Sequence, residues 1–213
     1  MKNVITILYG TKYTADDVHY IYEKSKNYNH ICIVDELNSK DLNDNIEQIP
    51  IHNEEGYWEK IKLFQNDWKG DCLYLDLDVI IQENLDKLFS YCKKPTICQT
   101  YWKHYGGKYN SSVMAWRGND AKYIYDYFEK QDQYYMTKYL GDDRFLYHEN
   151  MFSNVFPKGL IYSFEFGVDF TTDVSPRGFK IHQDYTIALL NGERSKEELR
   201  KKYYDALSLH KMG

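Results

Sequence analysis

The chain opens with an apolar run. Residues 4–9 (VITILY) are β-branched and apolar and stop at Gly10, the pattern of a strand buried on both faces. Thr14 follows with Asp16 and Asp17 behind it, then Val18, Ile21 and Tyr22 at helical spacing. A capping hydroxyl, first-turn acids and an apolar stripe predict a helix there. A second apolar run, residues 30–34 (HICIV), closes at Asp35. Strand, helix and strand within the first 35 residues make a β-α-β unit, which implies a parallel sheet. Parallel sheets bind ligands outside the carboxyl ends of their strands, where Tyr9, Gly10 and Asp35 would stand.

The pattern continues without a linker or an internal repeat. Residues 57–64 (YWEKIKLF) have the spacing of an amphipathic helix, on which Trp58 and Lys60 read as packing and solvation. Residues 72–81 (CLYLDLDVII) read as one apolar strand interrupted by two acids. Residues 96–99 and 112–116 are strand candidates, 120–130 and 143–151 helix candidates, and 160–166 and 179–190 are mixed. The tail sets Lys196, Arg200, Lys201 and Lys202 among apolar positions, an amphipathic basic helix that reads as a cap on the fold rather than a membrane contact. Residues 1–213 are therefore expected to form a single α/β domain with a helical tail over 195–213.

Composition narrows the function. A net charge of −5 argues against a general nucleic-acid binder, which needs a basic stripe, and means that an anionic substrate needs a cation beside it. The 22 tyrosines suit a wet binding cleft as well as a core, and a coding bias accounts for part of them. Cys32, Cys72, Cys92 and Cys98 show no CxxC pair and no metal-ligand spacing. Cys32 and Cys98 lie in apolar runs, and a reducing, cytoplasmic setting is the simplest inference. The apolar run after Met1-Lys2-Asn3 is too short for a signal peptide, and no stretch approaches an integral membrane segment.

The two acids carry the chemistry. Side chains two apart on a strand share a face, so Asp76 and Asp78 would project together while Leu75, Leu77 and Val79 pack opposite. Two carboxylates beside an apolar strand repel and lose hydration, which drives one pKa upward unless a cation intervenes. Hard oxygen donors favour Mg²⁺ or Mn²⁺ over zinc, and such ions keep waters and bridge substrate phosphates.

Residues 70–89 (GDCLYLDLDVIIQENLDKLF) resemble the strand, D-x-D and "LF" helix of the GT-A glycosyltransferases, closest to the family 8-like retaining enzymes. Residues 109–116 (YNSSVMAW) are similar to that family's F-N-S-S/G-V-M strand. Gly141-Asp142-Asp143 stands where it often has G-D-Q, and residues 187–192 (IALLNG) resemble its F-H/N-G-K-P element. The blocks keep the family order across residues 4–194. The resemblance implies a Rossmann-like mixed sheet flanked by helices, with a nucleotide-sugar donor and a glycan or other acceptor. It implies Asp78 as principal ligand of Mn²⁺ or Mg²⁺, and Asp76 on the metal or the donor ribose. Tyr9, Gly10 and Asp35 would border the base and ribose; Asn110, Asp142 and Asp143 would face the donor sugar. Asn191 stands where many relatives place a third metal ligand, often His, and His182 is the alternative. The usual Lys after Gly192 is replaced by Glu193, leaving Arg194 or Lys196 to grip the diphosphate.

Each residue also has a plain structural reading. Asn110 and Ser111 suit a turn before a strand, Asp142 a helix cap, Asp143 a first-turn acid, and His182 a packed histidine. The aromatic stretch from Tyr101 to Tyr109 suits acceptor stacking or a surface loop. A haloacid dehalogenase-type phosphohydrolase with Asp76 as nucleophile also fits LYLDLDVII, although that motif belongs on a first strand. A nucleotidyltransferase would need a better phosphate loop than Gly10-Thr11-Lys12. A degenerate, non-catalytic sugar-binding module would fit the loss of the third ligand to Asn191.

Overall fold

The computed structural model describes residues 1–51, 56–102, 108–169 and 178–212. A seven-stranded sheet is built around β1 (Lys2–Leu8). Its residues alternate between two cores. Val4 and Leu8 join Cys32, Val34, Leu73 and Leu75, while Ile5 and Ile7 join Ile31, Ile33, Cys72 and Tyr74. That two-sided burial is why the segment is apolar almost throughout.

α1 (Ala15–Lys24) links β1 to β2 (Asn29–Val34), and α2 (Glu36–Ser39) leads to β3 (Glu47–Pro50). The chain then returns across β1 to β4 (Asp71–Leu75). β2 and β4 both run parallel to β1 on opposite sides, and β3 runs parallel to β2. The winding therefore reverses between β1 and β4, and a crevice opens at the carboxyl ends of those strands because their following loops part in opposite directions. Beyond β4 the sheet continues through β7 (Tyr109–Arg117), β6 (Thr96–Gln99) and β8 (Asn154–Val155). β7 is antiparallel to both of its neighbours.

The expected single strand over residues 72–81 divides in two. β4 stops at Leu75, and β5 (Val79–Ile81) belongs to a second, three-stranded sheet with β10 (Ile187–Leu189) and β9 (Ile161–Ser163). The physical reason is competition for pairing. Asp76 N still donates to Ser112 O at 2.9 Å, but residues 79–81 find an antiparallel partner in β10 instead. Leu77, 2% exposed, anchors the corner in the core, and the acids on either side of it turn outward. Asp76 and Asp78 share a cleft because of this corner, not because of strand alternation.

The helix expected over 57–64 is also broken, into 3₁₀ turns at Gly56–Trp58 and Leu63–Gln65 around α3 (Glu59–Lys62). Trp58, Ile61, Leu63 and Phe64 are all buried, a spacing that a regular 3.6-residue period cannot satisfy. The Trp68 indole N–H takes the Leu63 carbonyl at 2.6 Å and stops the ladder. α4 (Asp86–Phe89), α5 (Lys122–Phe128), α6 (Asp132–Lys138) and α7 (Asp142–His148) cover the sheet. Of residues 179–190, only β10 is strand.

The tail forms α8 (Lys196–Met212), with Leu199 and Tyr203 buried against Phe164, Tyr162, Leu190 and Ile80 beneath the small sheet. It caps the fold, as its pattern suggested. None of the described helices is long and apolar enough to cross a membrane. All four cysteines are buried and unpaired.

Leu199 is fully buried. Leu199→Ala is expected to lower the unfolding free energy by about 2–4 kcal/mol in chemical denaturation. Hydrogen exchange should then open α8 before the large sheet.

Candidate active site

The corner after β4 gathers three carboxylates around one ammonium: Asp142 is buried, while Asp76, Asp78 and Lys60 are half-buried. Lys60, on α3, donates to Asp76 Oδ2 at 2.8 Å and to Ser111 Oγ at 3.1 Å. The Tyr74 hydroxyl donates to Asp76 Oδ1 at 2.6 Å. Burial alone would raise the Asp76 pKa, but the Lys60 charge and these hydrogen bonds hold it below the ordinary carboxylate value. Asp78 has weaker support, from the more distant Lys60 charge and one hydroxyl. Burial and the neighbouring Asp76 charge push it up to about 6. Asp142, first residue of α7 and 5% exposed, is likewise pushed up to about 6, chiefly by burial. Asp76, Asp78, Lys60 and Tyr74 line a cleft of about 250 Å³ together with Tyr9, Lys12, Tyr13 and Tyr57.

A hard divalent cation fits the donors at this corner. The Tyr13 hydroxyl donates to Asp78 Oδ2 at 3.0 Å, while Asp78 Oδ1 is buried without a hydrogen-bond partner. The side-chain oxygen of Asn191 is buried and unpartnered too. β5–β10 pairing brings the two residues together, since Leu190 N donates to Asp78 O at 2.8 Å. Two orphaned oxygens beside a surplus of negative charge match the chemistry of Mg²⁺ or Mn²⁺. Among the described residues, no three His, Cys, Asp or Glu side chains cluster closely enough to hold an ion by themselves. Asp78 and Asn191 are thus the open donors, with Asp76 beside them but engaged by Lys60 and Tyr74.

The other candidate residues divide between open and occupied. Tyr9 and Gly10 follow β1 at the crevice. Gly10 (φ +63°) donates its N–H to Asp35 Oδ2 at 2.7 Å. Asp35 Oδ1 accepts from Asn38 N at 2.9 Å and from its side-chain amide at 2.8 Å. Asp35, 4% exposed, therefore braces the loop, and any ribose contact would compete with those bonds. Asn110 lies in β7 rather than in a turn before it, and its Oδ1 accepts from Ser112 N at 3.1 Å. Asp142 faces inward with Oδ2 unpartnered, and the half-buried Asp143 follows it in the first turn of α7.

Just beyond β10, a side chain at Gly192 would overlap the Glu165 carboxylate and force it to move. Glu165 also accepts from Glu193 N at 2.9 Å and pairs with Arg194. Arg194 makes a further 3.0 Å pair with Glu198, so its guanidinium is already engaged by two acids. Lys196 is tied to Asp17 at 2.7 Å. His182 packs edge-on against Tyr162 with centroids 4.9 Å apart, and its carbonyl takes the Gln82 amide at 2.7 Å. Gln82 and Asp78 flank β5 at opposite ends, which sets His182 apart from the acids and makes it a packed histidine. Residues 103–107 of the aromatic stretch lie outside the described residues.

Several side chains of the site fall outside the sequence-derived set. Lys60 was assigned to solvation; one lysine on a short broken helix carries no signal of its inward aim. Tyr13 and Glu165 were also missed, because both act through contacts distant in sequence.

No family model and no curated protein matches the chain. Solved structures do. A galactosyltransferase, LgtC, determined with donor and acceptor sugar analogs, is similar at 13% identity and a TM-score of 0.64, with 96% of each chain covered. GlyE, a glycosyltransferase of Streptococcus pneumoniae TIGR4, is similar at 13% identity and a TM-score of 0.58, covering 98% of this chain and 63% of its own. A glycosyltransferase involved in glycosylation of the major capsid of PBCV-1 is similar at 12% identity and a TM-score of 0.58, covering 95% and 98%. These neighbours are GT-A glycosyltransferases, and the chain has their fold.

Asp142 generates a stability prediction. Its folded pKa, about 6, exceeds the ordinary 3.8, so the folded chain binds this proton more tightly than the unfolded chain. Stability therefore falls as pH rises through that window, and the loss is complete above it. Asp142→Asn is expected to raise Tm by about 2–4 °C at neutral pH, with the gain vanishing below about pH 4. Thermal melts of both proteins across that range check it.

Proposed function

We propose that this chain is a glycosyltransferase that moves a sugar from a nucleotide-diphosphate donor of the UDP-sugar type to an acceptor hydroxyl, assisted by Mn²⁺ or Mg²⁺. The observation that carries this reading is the orphaned Asp78 Oδ1 at the switch-point crevice of a GT-A fold, with a second orphaned oxygen, Asn191 Oδ1, one residue beyond the Leu190 that bonds Asp78. When bound, the ion would act as a Lewis acid on the diphosphate leaving group. Asp78 and Asn191 would hold it, with Asp76 as a further carboxylate once Lys60 yields.

The remaining residues bind and orient. Lys12 at the cleft mouth offers a positive charge to the departing diphosphate. Asp142, with a free Oδ2, and Asn110 would fix donor-sugar hydroxyls. Tyr9 and the loop braced by Asp35 would border the nucleoside. The acceptor oxygen bonds to the anomeric carbon as the bond from that carbon to the β-phosphate oxygen breaks. The electron pair leaves with the diphosphate, and the acceptor proton passes to a departing phosphate oxygen on the same face, giving retention. No protein base is required, so the chain's contribution is positioning and electrostatics.

The phosphohydrolase alternative finds less support. Its nucleophile belongs on a first strand, whereas Asp76 follows β4 and has both oxygens tied by Lys60 and Tyr74.

A thermal-shift screen of nucleotide-sugars with and without Mn²⁺ tests the proposal. One donor at about 100 Kd should raise Tm by about 5–10 °C, with EDTA reversing the shift. NMR of the product should show the donor's anomeric configuration. Asp76→Ala/Asp78→Ala should remove the metal-dependent shift; an undiminished shift in that variant sinks the reading.

A further inference from the structure

The C-terminal helix reaches the cation corner through one aromatic ring. Lys196, in the first turn of α8, places its ammonium 4.7 Å from the centre of the Tyr13 ring. The same ammonium pairs with Asp17 at 2.7 Å, and Arg200 takes the other Asp17 oxygen at 2.7 Å. Asp17 is 2% exposed and accepts in addition from Thr14 N at 3.0 Å, next to Tyr13 in the chain. Burial works against its charge, yet Lys196, Thr14 and Arg200 together keep it ionised below the ordinary carboxylate value. Two cations against one buried anion fix this joint between α1 and α8; Lys196, which also lies 3.8 Å from Glu197, holds its ammonium over the ring face, as Lys12 does at 4.7 Å.

At the other edge of that ring, the Tyr13 hydroxyl donates to Asp78 Oδ2. Asp78 sits at a chain corner just outside both sheets, its backbone carbonyl held by Leu190 N at 2.8 Å, so the rotation of its carboxylate is left to side-chain contacts. Binding one carboxylate oxygen directs the other, and the directed oxygen is the unpartnered Oδ1.

We infer that Tyr13 and Lys196 are positioning residues. Lys196 docks the Tyr13 ring from α8, and Tyr13 orients Asp78 so that Oδ1 faces the cation. The inference rests on the cation-dependent reading above. It gives α8 a task beyond capping the core: the order of the last helix sets the affinity of a site near the middle of the chain. Partners that orient a ligand are worth much of a metal site's affinity even though they never touch the ion.

The test measures Mn²⁺ affinity of the full chain without nucleotide, by the loss of the free-ion EPR signal, alongside Tm. Tyr13→Phe keeps the ring and removes the donor, and should weaken Mn²⁺ binding about tenfold. Lys196→Met should weaken it about threefold, the scale of a lost cation–π contact, and Lys196→Arg should restore it. Arg200→Met breaks the same Asp17 joint without touching Tyr13. It should lower Tm as much as Lys196→Met while changing Mn²⁺ affinity less than about twofold.

In the Tyr13→Phe background, Lys196→Met should have no further effect on Mn²⁺, because the path through the hydroxyl is gone. Equal Lys196→Met losses in both backgrounds, or wild-type affinity in Tyr13→Phe, overturn the inference while leaving the cation reading intact. A wild-type chain that binds no more Mn²⁺ than Asp78→Ala removes both.

Discussion

A surplus of buried negative charge governs this molecule. Asp76, Asp78 and Asp142 are drawn together, with Lys60 as the counter-charge that Asp76 holds. Carboxylates in such surroundings either bind protons or find cations. Lys60 and Tyr74 satisfy Asp76, and the remaining two stay poised at raised pKa values. The fold tolerates this because two large apolar clusters pack the sheet from both sides, and their burial far outweighs the cost of one polar corner. The imbalance is local, and it lies where the winding of the sheet reverses.

The second sheet turns that imbalance into a defined site. Had residues 72–81 run on as one strand, Asp78 would have remained in the large sheet. Transfer of β5 to β10 bends the chain at Leu77 and places Leu190 against Asp78, with Asn191 the next residue in the chain. Glu165 then holds the following turn by accepting from the Glu193 amide and by filling the space beside Gly192. Each ligand candidate is thus set by pairing between segments about a hundred residues apart.

This explains which parts were legible in the amino-acid order. The β-α-β start, the strand core at 112–116 and the basic tail all announce themselves through local periodicity or capping. Local patterns decided them, and the structure agrees. The corner at residues 76–78 was not legible, because apolar residues continue straight through it and only competition from β10 breaks the strand. The broken helix around α3 hid Lys60 in the same way: its burial pattern belongs to tertiary packing. Tyr13 and Lys196 touch across nearly the whole chain, and Arg194 was spoken for by Glu165, a residue with no motif of its own.

The borders of the large sheet bear on behaviour at high concentration. One border is β3, four residues that begin with Glu47 and end with Pro50, a residue with no amide hydrogen to offer. The other is β8, only two residues long. Neither is a good template for a neighbouring chain seeking to extend the hydrogen-bond ladder. Crowded copies of this protein would therefore have little scope to stack edge to edge into fibrils through this sheet.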